Sequence, residues 1–222
     1  MVSQVLVAGL PSSGKSSAIG WLVVEAERAG VRVARARVQC FDEAGAAPPD
    51  EAGRPSRSWV SGGQCPDHFL VEHDAEILAW AEQQRASLLV LETAGLCGRC
   101  SPFPRTGVAV CVVDLTMGRS AVQKVGPMLS TADVCVLTRA DRVSWTELVM
   151  QRSAVLEVTP GCAVVVLNGL TGEGRTELWA AVARQLESGA GGVRDGSGLR
   201  SPAPQFYCSF CLGQSRVGIF QL

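Results

Sequence analysis

Residues 9–16 read Gly-Leu-Pro-Ser-Ser-Gly-Lys-Ser and follow directly on the apolar run Val5-Leu6-Val7-Ala8. The octet fits G-x-x-x-x-G-K-[ST], a loop whose backbone N–H groups turn inward over the start of a helix. The context constrains more than the pattern does. A buried strand, a glycine-rich turn and a helix hold a phosphate chain on backbone donors and the positive end of the helix. Lys15 is then predicted to reach the β- and γ-phosphates and Ser16 to ligate Mg2+, with Gly9, Ser12, Ser13, Gly14 and Ser17 completing the loop. Lysine usage points the same way. Of 20 basic residues only Lys15 and Lys124 are lysines. A compact ammonium fits between phosphate oxygens inside such a loop, where a planar guanidinium is too wide.

A chain of 222 residues, 47% hydrophobic and 18% charged, can bury the core of one α/β domain. The net charge of −1 argues against nucleic acid or an anionic membrane as the main partner, because both need a basic face. No apolar run approaches a membrane span. The N-terminus enters the first strand with no signal-like region, so a cytoplasmic protein is expected. Its nine cysteines are then expected mostly reduced, and close pairs suggest metal or redox chemistry before disulfides.

Strands are predicted at about 3–8, 31–38, 87–91, 108–113, 133–138 and 162–167. Helices are predicted from the phosphate loop to Ala29, with Gly30 as the residue past its end, and at about 72–85, 119–129, 144–155 and 173–188. Residues 42–66, rich in Gly, Pro, Asp and Ser, show no period, and a loop that long is usually functional or mobile. The alternation predicts an α/β fold, a mostly parallel sheet with helices on both faces, spanning residues 1–187. Glu92, Asp114 and Asp141 follow strand ends and are expected to gather at the carboxyl edge, where ligands bind. Residues 188–204 read as a flexible linker and 205–222 as a short tail carrying Cys208 and Cys211.

Two Cys-x-x-Cys pairs occur, Cys97/Cys100 and Cys208/Cys211, and Cys65-Pro-Asp-His68 makes a third close pair. Thiolates two residues apart grip one metal ion from a single turn. Cys111, Cys135 and Cys162 lie in or beside apolar strands and are expected as buried hydrophobes. A structural zinc pinning the tail to the body, an exchangeable metal and an iron–sulfur cluster all fit this pattern.

These motifs together resemble the nickel-insertion GTPases of the HypB and UreG families, a dimerising class of phosphate-loop GTPases. The resemblance covers about residues 3–187. Gly62-Gly63-Gln64-Cys65-Pro66-Asp67-His68 is similar to the Gly-Gly-Cys-Pro-His of the urease family, with one residue inserted before His. In that family Cys and His from two subunits share a nickel or zinc ion, so Cys65 and His68 are implied ligands of a homodimer. Glu92-Thr93-Ala94-Gly95 resembles the second switch element. Cys100-Ser101-Pro102 falls where the relatives have Cys-Pro or Ser-Pro. Lys124-Val125-Gly126-Pro127, then Ala132-Asp133, resemble the run into the guanine-reading motif. That motif, Asn-Lys-x-Asp in the relatives, is Thr138-Arg139-Ala140-Asp141 here. Asp141 can still accept from guanine and Arg139 can stack on it, but Thr138 cannot replace the amide. Asn168-Gly169-Leu170, leading into Thr171-Gly172-Glu173-Gly174, resembles the last base-contacting loop. The Mg2+-linked aspartate at the end of the second strand is missing, with Asp42 the nearest candidate. The Cys97/Cys100 and Cys208/Cys211 pairs are not part of the relatives' pattern and suggest a separate branch.

The resemblance implies a nucleotide-hydrolysing metallochaperone, GTP favoured over ATP, that couples nucleotide state to delivery of Ni2+ or Zn2+ to a client metalloenzyme or another maturation protein. The segment 42–66 and the loop 92–102 would be its switches. Glu92 or Asp114 would position Mg2+ or the attacking water, with Lys15 as the third catalytic residue. An alternative is a redox activator whose Cys97 and Cys100 from each chain hold a 4Fe-4S cluster between subunits. A small-molecule kinase fits less well, as no Arg-rich lid is evident.

Overall fold

The computed structural model describes residues 2–40, 53–62, 65–94, 101–118, 120–190 and 199–200. Seven strands form one sheet: β1 (Ser3–Gly9), β2 (Val33–Gln39), β3 (Ser56–Val60), β4 (Leu88–Thr93), β5 (Val108–Asp114), β6 (Val134–Thr138) and β7 (Ala163–Leu167). Their spatial order is β3-β2-β4-β1-β5-β6-β7, and every pairing is parallel. The helices are α1 (Lys15–Arg28), α2 (Pro66–Gln83), α3 (Ser120–Lys124), α4 (Gly126–Leu129), α5 (Trp145–Val158) and α6 (Arg175–Gln185).

The apolar runs explain the sheet. β4 and β5 are buried at every position, as strands covered on both faces must be. One face packs Leu6, Leu89 and Leu91 with Ile77 of α2 and Met128 of α4. The other packs Val5, Val7 and Val90 against Ile19 and Leu22 of α1 and Leu178 of α6. Cys111, Cys135 and Cys162 are buried free thiols, as expected of small core hydrophobes. Burial pushes all three thiols upward, that of Cys162 to about 12, so they stay protonated. Gly30 follows α1 with φ +81. Its N–H donates to Glu27 O and that of Val31 to Ala26 O, the pairing of a Schellman end.

Four expectations are corrected. The second strand begins at Val33 rather than Val31. The stretch 42–66 contains an edge strand: Ser56–Val60 pairs with β2 although only Trp59 is buried. The second helix begins at Pro66, six residues earlier than its apolar period suggests, because Pro66, Asp67 and His68 of its first turn are themselves buried. The helix expected at 119–129 is interrupted at Val125, before Gly126-Pro127. None of the described helices is long and apolar enough to cross a membrane.

Within the stretch read as a linker, Leu199 and Arg200 lie against the body. Leu199 is buried and bridges to Pro104, and Arg200 forks onto both carboxylate oxygens of Asp133 at 2.7 and 2.6 Å. This contact is at the amino end of β6, the far side of the sheet from the phosphate loop.

Candidate nucleotide-binding site

The strand order reverses at β1. The chain runs outward from β1 through β2 to β3, returns to β4, then crosses β1 to reach β5. Such a switch point opens a crevice at the carboxyl ends of the strands. The phosphate loop fills it, between the last residue of β1 and the first of α1. Gly14 caps α1 with φ +92, a left-handed conformation that glycine adopts freely, and no side chain caps the helix. The first N–H groups of α1 are therefore left to a ligand.

Lys15 is 6% exposed and folds back onto its own loop, donating to Leu10 O at 2.8 Å and Gly9 O at 3.2 Å. Burial lowers its pKa, while the charges of Glu92 and Asp67 oppose that fall. Ser16 Oγ donates to Glu92 Oε1 at 2.6 Å, joining the loop to the end of β4. A hydroxyl and a carboxylate side by side suit a hard divalent cation, so Ser16 and Glu92 fit magnesium. Asp42 lies outside the described residues. A cavity of about 320 Å3 over the loop is lined by Lys15, Ser16, Glu92, Thr93 and Arg37.

Glu92 and Asp114, which the sequence left equivalent, are placed differently. Asp114 Oδ1 caps the turn after β5, accepting from Thr116 N at 2.9 Å and Thr116 Oγ1 at 2.7 Å. Its Oδ2 pairs with Arg139. Asp114 is thus committed to the β6 side, and Glu92 is the carboxylate at Ser16. Arg139 also donates to Ser12 O at 2.7 Å, so its guanidinium clasps the loop. Thr138 Oγ1 donates to Ser13 O at 2.8 Å, holding the loop from behind, and Thr138 also lines the cavity beside it.

A second cavity of about 430 Å3 adjoins the first, lined by Gly14, Ser17, Arg139, Asp141, Asn168 and Leu170, among others. Asn168 Oδ1 accepts from the N–H groups of Leu170 and Thr171 at 3.0 and 3.2 Å, shaping that loop into an Asx turn. Trp21 of α1 donates from its indole to Gly169 O at 3.0 Å and fixes the loop to the helix after the phosphate loop. The two cavities lie side by side, one over the loop after β1 and one over the ends of β6 and β7.

Cys65 is the half-exposed N-cap of α2, and His68 lies in its first turn. Residues three apart share one helix face. The His68 side chain is 5% exposed, its Nε2 hydrogen-bonded to Glu72 Oε1 at 2.8 Å. Between them Asp67 is buried, its Oδ1 without a hydrogen-bond partner. Burial raises the Asp67 pKa to about 7, against the opposing charge of Lys15. Among the described residues no group of three or more His, Cys, Asp or Glu is placed to hold a metal ion. Cys97, Cys100, Cys208 and Cys211 lie outside the described residues.

Sequence reading missed Arg37, Asp67, Thr93 and Trp21. Only Arg37 left a signal: Val33-Ala34-Arg35-Ala36-Arg37-Val38 places two arginines on one face of a central strand.

No protein-family model matches the chain. It is 34% identical over 212 residues to the uncharacterised protein MJ0120 of Methanocaldococcus jannaschii, covering 96% of this chain and 89% of that one. Among solved structures it resembles the hydrogenase maturation factor HypB of Archaeoglobus fulgidus, at a TM-score of 0.61 and 18% identity over 83% of this chain and 90% of that chain. It also resembles HypB of Helicobacter pylori in complex with nickel, at 0.66 and 13% identity over 87% and 91%. An LAO/AO transport system kinase matches at 0.64 and 16% identity over 85% and 62%. Likeness at such identities is likeness of fold, and the fold is that of the P-loop NTPases.

Proposed function

This chain belongs to the family of MJ0120, and from that premise, with its P-loop NTPase fold, we propose that it is a nucleotide hydrolase, GTP preferred over ATP, that couples nucleotide state to the binding and delivery of a soft transition metal. One observation carries the reading. The turn that bears Cys65 and His68 also bears Asp67, and the buried Asp67 and the phosphate-loop Lys15 feel each other's charge. A phosphate chain that draws Lys15 off its own carbonyls changes the field on that turn, which gives the metal motif a physical link to the nucleotide.

In this mechanism the loop N–H groups and Lys15 bind the phosphates. Ser16 and Glu92 would hold magnesium, which when bound would supply positive charge to the phosphates. Glu92 also orients the attacking water. Arg139 and Thr138 keep the loop in register. Asp141 and the Asn168–Gly169–Leu170 loop receive the base, and Asp141 can accept from guanine. Asp114 acts as a positioning residue through Arg139.

The cargo is Ni2+ or Zn2+, ions that thiolate and imidazole suit. Cys65 and His68 are its first candidate ligands, shared across a homodimer as in the resembling families. Cys97 and Cys100, with Cys208 and Cys211 of a tail at 205–222 beyond a linker at 188–204, extend the set toward a client metalloenzyme or another maturation protein. The nickel complex of HypB from Helicobacter pylori supports the metal side of this reading by analogy of fold. The test is phosphate release from GTP and ATP by the wild-type protein and Lys15→Ala. Wild-type turnover lost in the variant is expected. Equal turnover in both contradicts the assignment of the loop.

A further inference from the structure

β2 carries a cation for which the sheet has no structural use. Ala34, Ala36 and Val38 are buried in the core beneath α2. Arg35, Arg37 and Gln39 alternate with them onto the face of Val33, which packs with α1. Arg37 is exposed because its side chain reaches the open end of that face, where it lines the phosphate cavity with Lys15, Ser16 and Glu92. It makes no ion pair and no side-chain hydrogen bond among the described residues.

The register explains its place. Val7 of β1 pairs with Glu92 of β4, and Glu92 pairs with Arg37 of β2. Arg37 therefore stands in the row of the carboxylate that binds Ser16, one strand spacing of about 4.8 Å further out. The base cavity lies on the opposite side, over β6 and β7. A nucleotide whose base sits there and whose phosphates cross the loop over β1 directs its last phosphate toward β4 and β2. Three cations line that cavity; Arg139 is paired with Asp114, which leaves Lys15 and Arg37, and the charge of Arg37 works against that of Lys15. An anion between them turns that repulsion into two attractions.

Resting on the nucleotide-binding reading above, we propose that Arg37 is the second cation of the phosphate site: it donates to the terminal phosphate of a bound nucleoside triphosphate and so distinguishes triphosphate from diphosphate. A guanidinium suits this position. Its fork matches two oxygens of a terminal phosphate, and outside the loop its width is no obstacle.

The experiment measures binding of GMPPNP and GDP, each with Mg2+, to the wild-type chain, Arg37→Ala and Arg37→Lys, with circular dichroism confirming the fold of each. Arg37→Ala is expected to weaken GMPPNP at least roughly 10- to 100-fold, the worth of a single charge-assisted hydrogen bond where the fork can make two, and to leave GDP unchanged. Arg37→Lys is expected to recover part of the loss. Equal weakening of both nucleotides in Arg37→Ala, or no change in either, overturns the inference while leaving the nucleotide site standing. A wild-type chain that binds neither nucleotide overturns the nucleotide reading and this inference with it.

Discussion

Replacing Asp67 with Asn removes a charge that the fold holds at a cost. Asp67 is 5% exposed, and one of its carboxylate oxygens has no hydrogen-bond partner. Burial raises its pKa from 3.8 to about 7, even with Lys15 and the neighbouring Thr93 hydroxyl pulling the other way. In the unfolded chain the carboxyl ionises near the lower value, so between the two values the folded state binds the extra proton. Stability then falls as pH rises through that window, is fully present below it, and is lost above it. Three pKa units at about 1.4 kcal/mol each make the loss about 4 kcal/mol. The Asn variant carries no such charge. Urea unfolding of chelator-treated, nucleotide-free protein across the window isolates the effect, because the other titrating groups cancel in the difference. At about pH 8 the variant is expected to be more stable by about 4 kcal/mol, or roughly 8–16 °C in Tm for a chain of this size. The gap is expected to close near pH 4. A gap independent of pH, or a variant less stable than wild type at pH 8, refutes the reasoning. A residue held at such a cost is the signature of a stability–function trade-off.

Two further outcomes follow from the same geometry. Gly174 and Gly30 have similar φ values, +87 and +81, but a Cβ on Gly174 meets Val166 O at 2.0 Å while one on Gly30 meets nothing within 4 Å. Gly30→Ala is expected to cost about 1 kcal/mol of conformational strain, and Gly174→Ala at least about 3 kcal/mol, because backbone must move as well. Equal costs in urea unfolding contradict that distinction. Glu92→Gln is expected to slow single-turnover GTP hydrolysis by about 100-fold or more; an unchanged rate moves the water-orienting role elsewhere.

Much of the fold was legible because buried parallel strands write themselves as apolar runs. Val108–Asp114 is buried at all seven positions and was placed from its sequence within a residue. β3 was not legible. Of Ser56–Val60 only Trp59 is buried, and the strand exists because β2 offers its backbone a partner. The start of α2 was hidden for the opposite reason. Its first turn buries the polar Asp67 and His68 beside Pro66, so no apolar period marks it; Pro66 at the helix start was the signal. Gly126-Pro127 likewise marked the break between α3 and α4. In the site, Lys15 and Ser16 followed from one local motif. The division between Glu92 and Asp114 did not, because it depends on Arg139, 25 residues from Asp114 in the chain, and on Ser16, 76 residues from Glu92. Asp67 gave no local sign, since its meaning comes from Lys15 across the fold.

The most direct measurement is calorimetric titration of the full chain with Zn2+ and with Ni2+, alone, with Mg-GDP and with Mg-GMPPNP. Coupling through the turn of Cys65, Asp67 and His68 is expected to change metal affinity between the two nucleotide states by at least about fivefold, and to do so no longer in Lys15→Ala. Identical affinity and stoichiometry in all three nucleotide conditions contradict it.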